Sequence, residues 1–143
     1  MIMSTKNFFD FNFNSLKLFL NNDLDIDEKK VSMRSKQIWQ SVYKKGSFEI
    51  NNLTTFPLEL RSKLNNLISL QRPKIVKTQT SSDGTIKWLI KLFDGNEVEC
   101  VYIPEKTRAT LCISSQVGCT LNCKFCHTGT QRLVKNLSFA EIV

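Results

Sequence analysis

The spacing of hydrophobic residues changes period part-way along this chain. Up to about residue 70, apolar side chains recur every three or four positions, the repeat of an amphipathic helix. Residues 15–21 fit a short helix, followed by an acidic stretch of Asp23, Asp25, Asp27 and Glu28. Met33 to Lys45 fits a second helix, with Ile38, Trp39, Val42 and Tyr43 on one face and Gly46 placed to end it. A third fits Pro57 to Ile68, where Leu60, Leu64, Leu67 and Ile68 make the stripe and Pro57 suits the first turn. Trp39 and Tyr43 fall on the apolar face and read as core rather than as platforms for stacking bases.

Beyond Pro73 the period drops to two. Lys74 to Thr80 reads as a strand and Ser81-Ser82-Asp83-Gly84 as a turn. Ile86, Trp88, Ile90 and Leu92 then alternate with Lys87, Leu89 and Lys91, and Asp94-Gly95 turns the chain into Glu97 to Ile103. This predicts a three-stranded antiparallel meander closed by Pro104. Ala109 to Ser114 is a further short apolar strand, followed by a cysteine-rich loop. Ser138-Phe-Ala-Glu141 has the capping-box pattern that starts a helix at 137 or 138. Strand, loop and helix in that order fit the first βα unit of an α/β barrel, whose sites lie on the loops after strand ends. The expected fold is thus an α+β N-terminal region followed by the start of a truncated partial barrel. Its parts are a basic helical accessory module over 1–70, the meander over 74–103, and the barrel start over 104–143.

A length of 143 residues has room for one ordinary domain, or a small domain plus part of another. No apolar run reaches membrane-spanning length. The phenylalanines of residues 1–22 are interrupted by Asn, Asp and Lys, unlike a signal peptide. A cytoplasmic protein without a membrane partner is therefore expected. Five cysteines, an odd number, argue in that compartment against a disulfide framework and for metal or catalytic roles. The net charge of +7 is unevenly spread: Lys29 to Lys77 holds eleven Lys or Arg against Glu49 and Glu59, and the remainder sums to −2. Such a local excess attracts polyanions, nucleic acid phosphates most simply. It would equally serve as a solvated surface.

Three cysteines, Cys119, Cys123 and Cys126, are spaced C-x3-C-x2-C with Phe125 before the third. Three thiolates on one short loop can hold three irons of a [4Fe–4S] cube and leave the fourth open to a substrate, whereas ferredoxin-type clusters are closed by a fourth cysteine. Structural zinc needs four protein ligands, usually two separated pairs, and His127 adjoins Cys126 too closely for easy tetrahedral ligation. The open-site cluster accounts for both number and spacing; zinc stays as the alternative. Gly129 permits a tight turn close to these cysteines.

The C-x3-C-x-aromatic-C pattern resembles the signature of the radical S-adenosylmethionine superfamily. The resemblance is closest to its bacterial RNA adenine-C2 methyltransferases. It is carried by Arg108-Ala-Thr-Leu-Cys112-Ile-Ser-Ser-Gln-Val-Gly118-Cys119, Cys126-His-Thr-Gly-Thr-Gln131 and Lys135-Asn-Leu. Ser81-Ser-Asp-Gly-Thr-Ile-Lys-Trp88, Val98-Glu99-Cys-Val-Tyr-Ile-Pro-Glu105 and Arg34-Ser-Lys-Gln-Ile-Trp39 extend it, so that it spans about residues 15 to 143.

The resemblance implies that Cys119, Cys123 and Cys126 ligate the cluster and that Phe125 packs beside S-adenosyl-L-methionine, with Gly129 shaping that cofactor site. It implies methylation of adenine C2 in large-subunit ribosomal RNA and in transfer RNA. C2 lacks a nucleophilic lone pair, so the family installs a methyl group on its own C-terminal cysteine and adds it by radical chemistry. A second cysteine, matched here by Cys112, then helps remove the C2 proton and releases the RNA through a disulfide. Glu99 matches a glutamate near the active site, while Cys100 matches no functional cysteine. Without the resemblance, Cys112 would read as a small apolar strand residue and Glu99 as an exposed strand carboxylate.

The resemblance also implies a flavodoxin- or ferredoxin-like reductant, and a monomer is expected. Val143 comes 17 residues after Cys126, and no cysteine follows Cys126. The 143 residues are therefore expected to be inactive alone, completed by a separate C-terminal polypeptide if at all, with residues 1–103 able to fold and 104–143 poorly packed or disordered in isolation. The competing expectation is a non-catalytic RNA-binding module, metal-stabilised or not.

Overall fold

The computed structural model describes residues 5–121, 123, 124 and 128–143. The chain forms two compact units, Met1–Gln71 and Arg72–Val143.

In the first unit three helices carry the core: α1 (Phe13–Asn22), α2 (Glu28–Tyr43) and α3 (Leu58–Leu67). The Asn12 side chain caps α1 by accepting the Asn14 and Ser15 N–H groups. α2 begins five residues before the expected Met33, because Asp27 accepts the Lys29 N–H at 2.8 Å and supplies the cap. The end of the acidic stretch therefore starts the helix, with Asp27 as its cap and Glu28 as its first residue. Val31, Ser35, Ile38 and Val42 line its inner face, and the buried Ser35 hydroxyl is satisfied by donating to the Val31 carbonyl at 2.8 Å. Leu64 and Ile68 bury the stripe of α3 and its exit.

Phe8 and Phe9, which the helical period leaves unassigned, are also core residues. Phe8 meets the rings of Trp39 and Tyr43 at 5.9 and 5.8 Å. Trp39 is half-buried, whereas Tyr43, expected in the core, packs on neighbouring rings but stays 39% exposed. Strand β1 (Lys6–Asn7) closes the unit by pairing in parallel with β2 (Ile68–Ser69). Among the described residues no helix is long and apolar enough to cross a membrane.

The second unit is built on an antiparallel sheet in the order β3 (Lys74–Thr80), β4 (Ile86–Lys91), β5 (Glu97–Pro104), β6 (Ala109–Ile113). Pro104, expected to close a three-stranded meander, instead leads into another hairpin. The Glu105 N–H donates to the Arg108 carbonyl at 2.8 Å, and Arg108 Nε donates to Glu105 Oε2 at 2.7 Å. Proline can end a strand's hydrogen bonding without ending the sheet. Strand 109–113 consequently joins the meander as a fourth, antiparallel member.

After β6 come β7 (Gln116–Val117), a 3₁₀ turn (Thr128–Thr130), β8 (Lys135–Asn136) and α4 (Phe139–Ile142). β8 returns antiparallel to β7, and the Ser138–Glu141 capping box forms as expected. Packing is thin here: among the described residues from 104 onward only Gly129 and Ala140 are buried.

Candidate functional site

Register sorts the sheet into two faces, because side chains alternate along a strand and directly paired residues share a side. Trp88 pairs with Cys100, and Cys100 with Ile113; Ile90 pairs with Val98, and Ile86 with Tyr102. That face is apolar. Leu89 pairs with Glu99, Lys87 with Val101, and Val101 with Cys112, so the other face carries charge and the Cys112 thiol. Glu99 and Cys112 therefore share a face as diagonal neighbours across β5 and β6. Their spacing in sequence gives no hint of this.

Glu99 is held in place twice. Lys87 Nζ lies 2.9 Å from Glu99 Oε1, and the Ser114 hydroxyl donates to the Glu99 carbonyl at 2.8 Å. Cys112 is exposed and free. Cys100 is buried and on the opposite face, so the two adjacent-strand thiols do not confront one another. Burial, with a smaller contribution from nearby Cys112, pushes the Cys100 thiol up from its ordinary pKa and keeps it neutral. No role falls to it.

The cysteine loop springs from a hydrogen-bonded stem. The Leu137 N–H donates to the Ser115 carbonyl at 2.9 Å, Val134 N–H to Val117 at 2.8 Å, and Cys119 N–H to Gln131 at 3.1 Å. The two limbs come so close at Gly118 that a Cβ there would collide with the Arg132 carbonyl oxygen and lie 2.7 Å from its carbon. Gly118 also has φ +77°, a conformation costly for other residues. Gly129 plays the same part at the loop's far end: a Cβ would stand 2.7 Å from Cys123 O and 2.8 Å from Cys123 N. The turn expected at Gly129 is thus a close backbone approach to one of the cysteines.

Cys119 and Cys123 are both half-buried and free. Cys126 and Phe125 lie outside the described residues. Among the described residues no three His, Cys, Asp or Glu side chains are gathered as a metal site. The donor chemistry nevertheless suits a thiolate-bound metal. The Leu121 N–H donates to Cys119 Sγ at 3.4 Å, which fixes the direction of that side chain, and cysteine sulfur is the donor that zinc and iron–sulfur clusters take.

Behind the stem lies a group that the sequence alone did not reveal. Lys135 Nζ sits 2.5 Å from Asp94 Oδ2 and 2.7 Å from Glu141 Oε1. Lys135 and the Asn96 N–H hold the Asp94 carboxyl down at about 2. Glu141, pushed up by burial, is brought below its ordinary range by Lys135 and the Ser138 N–H. In sequence these residues read only as a turn, a short match and a capping box.

In the first unit, some of the basic residues serve the fold. Arg34 donates to the Thr55 carbonyl at 2.8 Å and stacks over Phe56, and Arg61 donates to the Asn51 carbonyl at 2.7 Å. Eight of the eleven Lys and Arg between 29 and 77 lie in this unit.

No protein-family model matches the chain. Curated relatives do. The chain is 51% identical over 117 residues to a dual-specificity RNA methyltransferase RlmN of Rhodopseudomonas palustris, covering 78% of this chain and 29% of that protein. It is 50% identical over 126 residues to the RlmN of Nitrobacter winogradskyi, covering 84% and 32%. Among solved structures, a radical SAM methyltransferase from Sphaerobacter thermophilus superposes with a TM-score of 0.82 at 30% identity, covering 96% of this chain and 39% of that one. The chain spans about a third of the length of the curated relatives it matches, and the similarity is to their N-terminal part.

Proposed function

We propose that this chain, similar along most of its length to the N-terminal part of radical S-adenosylmethionine RNA methyltransferases, supplies the cluster-binding loop and an RNA-contacting module of such an enzyme. The similarity to methyltransferases at about half identity, joined to the C-x3-C-x2-C loop on its closed stem, carries this reading. Cys119, Cys123 and Cys126 would hold a [4Fe–4S] cluster, with Phe125 and Gly129 beside the S-adenosyl-L-methionine it binds. When bound, the pair supplies one-electron chemistry that no side chain can perform. The protein's own contribution is to present three thiolates and to shape the pocket around them.

Cys112 and Glu99 are the residues assigned to the adenine. On one charged face of the sheet, an exposed thiol with a carboxylate diagonal to it can take up and pass on the C2 proton. Lys87 keeps Glu99 aimed along that face. Residues 104–143 are read as the start of a partial barrel, and the basic helical unit as the contact to ribosomal and transfer RNA phosphates. The reading places the protein in the cytoplasm, with a small redox protein as electron donor.

Anaerobic reconstitution with iron and sulfide tests this. A brown protein with about four irons per chain, whose reduced electron paramagnetic resonance signal changes when S-adenosylmethionine is added, is expected. A colourless protein that takes up zinc and no iron would overturn the cluster. RNA binding that weakens with salt, in a protein without a cluster, would leave the RNA-binding module as the function.

A further inference from the structure

We propose that Lys135 is a positioning residue for the cysteine loop, its ammonium clamping the stem of the loop to the sheet through Asp94 and to α4 through Glu141. The inference rests on reading that loop as the cluster site. β7 and β8 are two residues each, and so short a ladder is marginal without other support. Lys135 pairs directly with Val117, two residues before Cys119. Motion at this pair therefore moves both limbs from which the cysteines hang.

Two carboxylates converge on the one ammonium, Asp94 from 41 residues upstream and Glu141 from six residues downstream. Asp94 belongs to the turn between β4 and β5, where its carboxylate also accepts the Asn96 N–H at 3.0 Å. Glu141 lies in α4 with its side chain only 5% exposed, and its second oxygen accepts the Ser138 N–H at 3.0 Å. Exposed ion pairs contribute little, but this one differs. Removing Lys135 would leave a nearly buried carboxylate without its cation, the costly way to break such a pair. The depressed Asp94 and Glu141 carboxyls and the raised Lys135 ammonium agree that all three are charged together.

The test compares the whole chain with Lys135→Met, which keeps length and loses charge, and Lys135→Arg, which keeps charge. In metal-free protein, amide exchange at Cys119, Val134 and Leu137 should quicken at least tenfold in the Met variant, with Cys119 and Cys123 alkylated faster. Amides of the β4–β5 pair should be unchanged, and the Arg variant should restore wild-type behaviour. After reconstitution, the Met variant should lose iron faster and broaden the cluster's resonance lines. Wild-type exchange and alkylation rates in the Met variant would overturn the clamp. A quickened stem with unaltered thiol alkylation and resonance lines would overturn the positioning role. A wild-type protein that takes no cluster sinks the reading of the loop instead, while exchange and alkylation still judge the clamp. Should Lys135→Met fail to fold, Asp94→Asn removes one arm only and should give the same pattern in weaker form.

Discussion

Replacing Gly118 with alanine should open the stem of the cysteine loop while leaving the sheet closed. The cost can be worked from the structure. At φ +77° a residue with a Cβ loses about 1–2 kcal/mol relative to glycine. The new methyl group would also overlap the Arg132 carbonyl and stand 3.1 Å from Leu133 Cα, all of it backbone that cannot swing aside. Relief requires the limbs to part, which sacrifices the Cys119–Gln131 and Val134–Val117 hydrogen bonds, about 1 kcal/mol each. The total of about 3–4 kcal/mol corresponds to a roughly hundredfold or greater rise in local opening. Native-state hydrogen exchange reads this directly at Val134 and Leu137 against the amides of β4 and β5. Gly95→Ala is the control: φ is +89° but nothing lies within 4 Å of the added atom, so only the conformational part, about 1–2 kcal/mol, applies. If stem amides in Gly118→Ala stay within tenfold of wild type, the close approach of the limbs is not what holds the loop.

The remaining expectations concern separate parts of the molecule. Alanine at Cys119, Cys123 or Cys126 should reduce reconstituted iron to background, whereas alanine at Cys100 or Cys112 should not; iron and sulfide assays decide. Leu64→Ala, deleting a side chain that is 1% exposed, should destabilise the helical unit by about 2–5 kcal/mol, read by near-ultraviolet circular dichroism in urea. The Asp94 carboxyl, held at about 2 in the folded chain against about 3.9 when unfolded, is depressed by folding. Its contribution is present above the unfolded value and is lost as pH falls from there towards 2. A carboxyl-detected titration should find that midpoint, and Lys135→Met should move it upward.

Much of the molecule follows from residue order alone, where the governing interactions are local. The stripe of Leu60, Leu64, Leu67 and Ile68 predicts α3 to within a residue at each end, and alternation from Ile86 to Leu92 predicts β4. The capping box at Ser138 needs only its own four residues. The spacing of Cys119, Cys123 and Cys126 suggests the chemistry proposed above, because three thiolates on one short loop can reach a common cluster. Two misplacements also have local causes. Asp27 reads in sequence only as part of an acidic stretch before a helix expected from Met33, because capping depends on its backbone conformation, not its charge. Pro104 looked like the end of a sheet because its missing N–H is visible in sequence, while the partner strand at Ala109 is not.

What the tertiary structure alone decided is which remote residues meet. Antiparallel register put Cys112 and Glu99 on one face and Cys100 on the other, and a shift of one residue would have exchanged them. The Asp94–Lys135–Glu141 group joins positions as far as 47 residues apart, and no local pattern encodes a bond across such a gap. Gly118 and Gly129 are only small residues until the chain crosses itself at Arg132 and Cys123. Periodicity fixes the elements because each depends on neighbours three or four residues away. The loop's support depends on contacts that exist only after those elements have packed.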